Sequence, residues 1–179
     1  SPRASALRTH TNTETNMTTH EGFALTTLYL DLDGVLADFD RGVEALTGSR
    51  PEQLEPRQMW PQLARHGDFF ASLEMTEDGP PLWEACAPLA PVILTGLPRG
   101  RWAEPQKRRW VAEHLGEDVE VITCMSRDKP QWSGPGCVLV DDRARLRQAW
   151  ERAGGVFIHH TSAAQTLAEL EALGLELGP

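Results

Sequence analysis

Large apolar residues gather in short runs separated by segments of helical spacing, and this order repeats along most of the chain. Residues 26–32 (TTLYLDL) form the first run and predict a buried strand. Residues 38–47 have helical spacing and end near Gly48. The stretch 49–78 breaks the rhythm. It is rich in Pro, Gln and charge, carries Trp60, Phe69 and Phe70, and predicts a small helical insertion. The rhythm resumes with a short helix at 80–89, a second strand at 91–95 (PVILT), and a helix at 104–115 closed by Gly116. A third strand follows at 119–124, a fourth at 137–142 (CVLVDD), a helix at 143–153, a fifth strand at 156–158 and a last helix at 162–173. Strands alternating with helices predict a parallel sheet covered on both faces, a three-layer α/β/α Rossmann-like core.

Length fits one domain with an insertion: a tail at 1–24, a core at 25–38 and 79–179, and a small helical cap at 39–78. The tail is polar, lacks the apolar stretch of a secretory signal, and reads as flexible, with Met17 as a candidate initiator. A net charge of −9 excludes a protein that coats nucleic-acid polymer, which needs a basic face. Cys86, Cys124 and Cys137 have no metal-ligand spacing and read as reduced thiols of a cytoplasmic protein. No apolar run approaches the roughly 20 residues that span a bilayer. Neither charge nor length bears on oligomeric state.

The candidate chemistry lies where the strands end. Asp31 and Asp33 are two apart on an extended chain, so they project the same way. Two close carboxylates repel unless a cation or a proton intervenes, the arrangement a Mg²⁺-assisted phosphoryl-transfer site needs. Thr95-Gly96 closes the second strand, Lys129 follows the third, and Asp141-Asp142 closes the fourth. In open α/β sheets ligands bind beyond the carboxyl ends of the strands, so separate stretches deliver these groups to one edge. Asp31 is the expected nucleophile, forming an aspartyl-phosphate, and Asp33 the expected general acid and base. Asp31, Asp142, Asp141 and the backbone carbonyl of Asp33 would hold Mg²⁺, which favours oxygen ligands. Thr95 and the Gly96 N–H would bind phosphate, and Lys129 would balance its charge. Lys107-Arg108-Arg109 reads as a solvent-facing basic stripe, Arg99 and Arg101 as solvated loop residues, and His159 and His160 as structural.

These elements, in this order, resemble the haloacid dehalogenase-like (HAD) superfamily of phosphohydrolases. Fuller strings (Asp33 to Phe39, Asp68-Phe69-Phe70, Lys107 to Val111, Ser126 to Lys129, Val140 to Arg143) look like its 5'(3')-deoxyribonucleotidase family. That resemblance implies a Mg²⁺-dependent phosphatase of nucleoside monophosphates, with Phe39, Trp60 and Phe70 sandwiching the base. The insertion is shorter than that family's cap, and the second motif reads Thr-Gly-Leu-Pro where the family has Thr-Ser-Pro. Packing within the insertion is the competing role for the three aromatics. The rival functions are a HAD phosphatase for another small phosphorylated metabolite and a non-catalytic domain that binds phosphorylated ligands.

Overall fold

Among the described residues five strands form where the apolar runs lie: β1 (Thr27–Leu30), β2 (Val92–Gly96), β3 (Val121–Cys124), β4 (Cys137–Asp141) and β5 (Val156–His159). The computed structural model describes residues 22–179; the tail expected at 1–24 lies, through residue 21, outside the described residues. Among the described residues six α-helices accompany the strands: α1 (Phe39–Thr47), α2 (Pro56–Arg65), α3 (Gly79–Cys86), α4 (Ala103–His114), α5 (Arg147–Arg152) and α6 (Ala163–Ala172).

The strands pair in parallel in the order β3-β2-β1-β4-β5. Leu30 aligns with Ile93 on one side and Val140 on the other, so the three central strands end level. Side chains alternate between faces. Leu28, Leu30, Ile93, Val138, Val140 and Ile158 pack with Leu82 of α3, Trp110 and Val111 of α4, and Leu170 of α6. Tyr29, Leu94, Leu139 and Phe157 pack on the opposite face with Trp150 of α5. The architecture is the three-layer α/β/α arrangement that the alternation of strands and helices predicts. Helices α3 and α4 cover one face and α5 the other, so the chain leaves the neighbouring strands β1 and β4 toward opposite faces. Their carboxyl ends therefore border the crevice where such sheets bind ligands.

Two local differences from the sequence expectation have clear causes. The helix expected over 143–153 is divided into a 3₁₀ turn, Ala144–Leu146, and α5. The Asp141 carboxylate accepts the Arg143 N–H at 2.9 Å and holds residue 143 extended, so the helix starts late. After β3 the chain winds into a 3₁₀ helix, Ser126–Trp132. Pro130 in this stretch has no N–H to continue an α-helical ladder.

The insertion leaves and rejoins the core beside the end of β1. Asp38 caps α1 by accepting the Arg41 N–H at 3.1 Å. Pro56 opens α2 in a first-turn position that needs no donor. The return is fixed by a bridge between Ala37 and Met75 and by the Thr76 N–H donating to the Leu36 carbonyl at 2.8 Å.

Candidate active site

The site begins with a tight turn after β1. The Ala37 N–H donates to the Leu32 carbonyl and the Gly34 N–H to the Ala37 carbonyl, both at 2.9 Å. Gly34 has φ +80°, and a Cβ there would collide with the Asp142 carboxylate. Glycine thus satisfies both the left-handed backbone and the close approach of the β4 end. Gly96 plays the second role at the end of β2, where a Cβ would strike the Ser126 hydroxyl.

Asp31, Asp141 and Lys129 meet at the centre. Lys129 Nζ donates to Asp31 Oδ1 at 3.0 Å and to Asp141 Oδ2 at 2.8 Å. All three residues are buried, Lys129 to 2% exposure. Burial opposes the lysine's charge, but the pull of Asp31 and Asp141 outweighs it and Lys129 titrates above the ordinary lysine range. Asp142 completes the cluster: Asp31, Asp141 and Asp142 each offer an oxygen within 4.8 Å of the others. Much of the Asp142 residue is exposed, yet its carboxylate is pressed against Gly34 and the other two acids. Burial and the repulsion of Asp31 raise both the Asp141 and Asp142 carboxyls above the usual carboxylate range, and Lys129 partly offsets this for Asp141.

Lys107 corrects the sequence expectation. It is not part of a solvent-facing stripe; it is 1% exposed and points from α4 into the site. Its Nζ donates to Asp33 Oδ2 at 2.7 Å, Thr95 Oγ1 at 3.0 Å and the Gly96 carbonyl at 2.7 Å. The Phe70 ring lies 4.5 Å from the same nitrogen, a cation–π distance. Arg108 and Arg109 do stay exposed, paired with Glu104 and Asp68. The signal for Lys107 was helical spacing: it lies four residues after Ala103 and three before Trp110, both buried, and so shares their face.

The remaining sequence candidates fall into place around this centre. Thr95 is fully buried beneath Lys107, and Gly96, not Thr95, reaches the cavity surface. A cavity of about 220 Å³ is lined by Asp31, Asp33, Gly96, Lys129 and Asp142, and a neighbouring one of about 120 Å³ by Phe39, Trp60, Phe70 and Lys107. Ser126 and Arg143, which sequence reasoning left without a role, border both. Phe70 is buried, whereas Phe39 and Trp60 are half-buried. Phe39 and Phe70 stack on each other, with centroids 6.0 Å apart. Arg99 and Arg101 are exposed and border neither cavity. His159 Nε2 donates to the Asp142 carbonyl at 3.0 Å, and His160 Nδ1 pairs with Thr166 Oγ1 at 2.7 Å. A larger cleft of about 390 Å³ between α1 and residues 66–74 gathers no buried polar side chain.

No protein-family model and no curated protein matches the chain. Solved structures do. One is a hydrolase from Streptococcus pneumoniae TIGR4, 16% identical, with a TM-score of 0.50 over 83% of this chain and 98% of that one. Another is a HAD family hydrolase from Deinococcus radiodurans R1 with bound phosphate and sodium, also 16% identical, with a TM-score of 0.50 over 87% of this chain and 99% of that one. The fold is thus that of HAD family hydrolases.

Proposed function

We propose that the chain is a Mg²⁺-dependent phosphomonoesterase that works through a phospho-Asp31 intermediate and takes nucleoside monophosphates. The observation that carries this reading is the meeting of Asp31, Lys129, Asp141 and Asp142 at the ends of β1 and β4, with Asp33 beside them. The phosphate held by the D. radiodurans relative of this fold is consistent with it.

The donor set fits the metal. Three carboxylates within 4.8 Å supply hard oxygen ligands, and the raised Asp141 and Asp142 carboxyls mark charge that lacks a sufficient counter-ion. Asp31, Asp142, the Asp33 carbonyl and Asp141 would hold Mg²⁺, which when bound neutralises the acids and screens the incoming phosphate. Asp31 attacks phosphorus, and Asp33 protonates the departing oxygen and then takes a proton from water. Lys129 has two of its three N–H groups committed and directs the third at the transferring group. Thr95 Oγ1 accepts from Lys107 beneath the cavities, which leaves Gly96, at their surface, as the residue of this strand end that meets a phosphate oxygen. The half-buried Phe39 and Trp60 offer faces on which a base stacks, with Phe70 as the floor beneath. The insertion that carries them serves as the cap.

A panel of phosphate esters with and without chelator tests this reading. Mg²⁺-dependent release of phosphate, fastest from nucleoside monophosphates and lost in Asp31→Asn, is expected. Turnover that ignores chelator and the Asp31 substitution would refute it. One observation favours a second reading, a phosphatase of a smaller metabolite: Phe39 and Phe70 are stacked on each other and leave no slot for a ring between them. Sugar phosphates turning over far faster than every nucleotide would decide for that alternative.

A further inference from the structure

Asp33 is held asymmetrically. Oδ2 accepts from Lys107 Nζ at 2.7 Å, while Oδ1 is shielded from solvent and has no hydrogen-bond partner among the described residues. Lys107 has no donor to spare. An ammonium carries three N–H groups, and they go to Asp33, Thr95 and the Gly96 carbonyl. A direct bond from Lys107 to a substrate phosphate would break one of these. Its surroundings leave little freedom: the side chain is fully buried, with the Phe70 ring packed on its cation. The neighbouring Gln106 clamps the same region, accepting the Phe70 N–H and donating to the Gly67 carbonyl, both at 2.8 Å.

We infer that Lys107 is a positioning residue that acts through Asp33: by occupying Oδ2 it fixes the rotation of the carboxyl that gives and takes the proton at the edge of the cavities. The inference rests on the phosphomonoesterase reading above. In the first half-reaction the Asp31 carboxylate bonds to phosphorus. The ester P–O bond breaks, its electron pair stays on the leaving oxygen, and that oxygen takes the proton from the Asp33 carboxyl. In the second, water bonds to phosphorus and gives a proton to the Asp33 carboxylate. The acyl-phosphate P–O bond then breaks, returning the Asp31 carboxylate and inorganic phosphate.

The test is the dependence of kcat/KM on the leaving group, measured with Mg²⁺ over aryl and alkyl phosphates for the parent protein and Lys107→Met. A p-nitrophenolate departs without protonation, whereas an alkoxide needs it. The loss on alkyl phosphates should therefore exceed the loss on p-nitrophenyl phosphate by about 10²-fold, the scale of general acid catalysis. On an Asp33→Asn background the same substitution should add less than about threefold. Equal losses across the series, or a further large loss on that background, would overturn the inference in favour of phosphate binding or a purely structural role. Lys107→Gln keeps one N–H for Oδ2 and should show the same selective loss at smaller amplitude; it carries the test if the methionine variant does not fold. A parent protein with no Asp31-dependent turnover would sink the phosphomonoesterase reading. A parent protein that turns over, with an unchanged leaving-group dependence in both lysine variants, would sink only the role of Lys107.

Discussion

Two lysines on different elements divide the acids at the strand ends between them. Lys129 holds Asp31 and Asp141, and Lys107 holds Asp33, so each proposed chemical role has its own cation. Asp31→Asn keeps the size and the hydrogen bond to Lys129 while removing the proposed nucleophile, so turnover should fall to background with the circular dichroism spectrum unchanged. Asp33→Asn should lower kcat/KM on alkyl phosphates by about 10²- to 10⁴-fold. His160 gives a prediction of another kind. It is buried against Thr166, and burial lowers its pKa below the ordinary histidine value. The folded state then binds its proton less readily than the unfolded chain, so stability is complete above the unfolded pKa of about 6.5 and is lost as pH falls below it. Urea midpoints measured on either side of that value should separate for the parent protein. For His160→Asn the separation should shrink, and an unchanged separation would remove His160 as its source.

At the scale of elements, the three central strands were legible because each is an apolar run buried along most of its length, and Asp31, Thr95 and Asp141 stood out as polar residues at the ends of such runs. Lys129 was legible only through its place after β3, because a 3₁₀ helix has no strong sequence period. Lys107 was missed because two neighbouring arginines outweighed, to the eye, the spacing that sets it on the buried face of α4. Pairings across long separations, such as Lys107 with Asp33, leave no local trace at all. The aromatics of the insertion were legible as a group, but not the direction in which each ring faces. Helix α4 couples these parts, since Gln106 holds the 67–70 turn and Lys107 holds the end of β1. Gln106→Ala removes both amide bonds and leaves the buried Phe70 N–H unpaired, which should destabilise the protein by about 1–3 kcal/mol in urea unfolding. It should also raise KM more than it lowers kcat if the turn positions the substrate-facing rings. A stability loss with unchanged KM would confine Gln106 to the fold.

For the whole molecule, the sheet and the site set opposing demands. The central strands bury Leu28, Leu30, Ile93, Leu94, Val138, Leu139 and Val140 completely, and each such side chain contributes about 1.5–3 kcal/mol. That apolar surface stabilises a fold that also crowds Asp31, Asp141 and Asp142 together at its edge. The cost of the crowding has a definite pH sign. Burial and mutual repulsion raise the Asp141 and Asp142 carboxyls, so between the ordinary carboxylate range and their raised values the folded state binds more protons than the unfolded chain. Without metal, this contribution is present at low pH and is lost as pH rises through the raised values. A divalent cation that binds the deprotonated cluster reverses the loss, because it binds the folded state alone and replaces the protons it displaces. The increase in Tm caused by Mg²⁺ should therefore be small near about pH 5 and larger near about pH 8. The contribution of His160 is common to the samples with and without metal and cancels in the difference. Asp142→Asn removes one proposed ligand and one of the raised carboxyls together, so both the Mg²⁺ shift and its pH dependence should shrink. A shift that is equal at the two pH values, or that survives in Asp142→Asn, would place the bound cation away from this cluster.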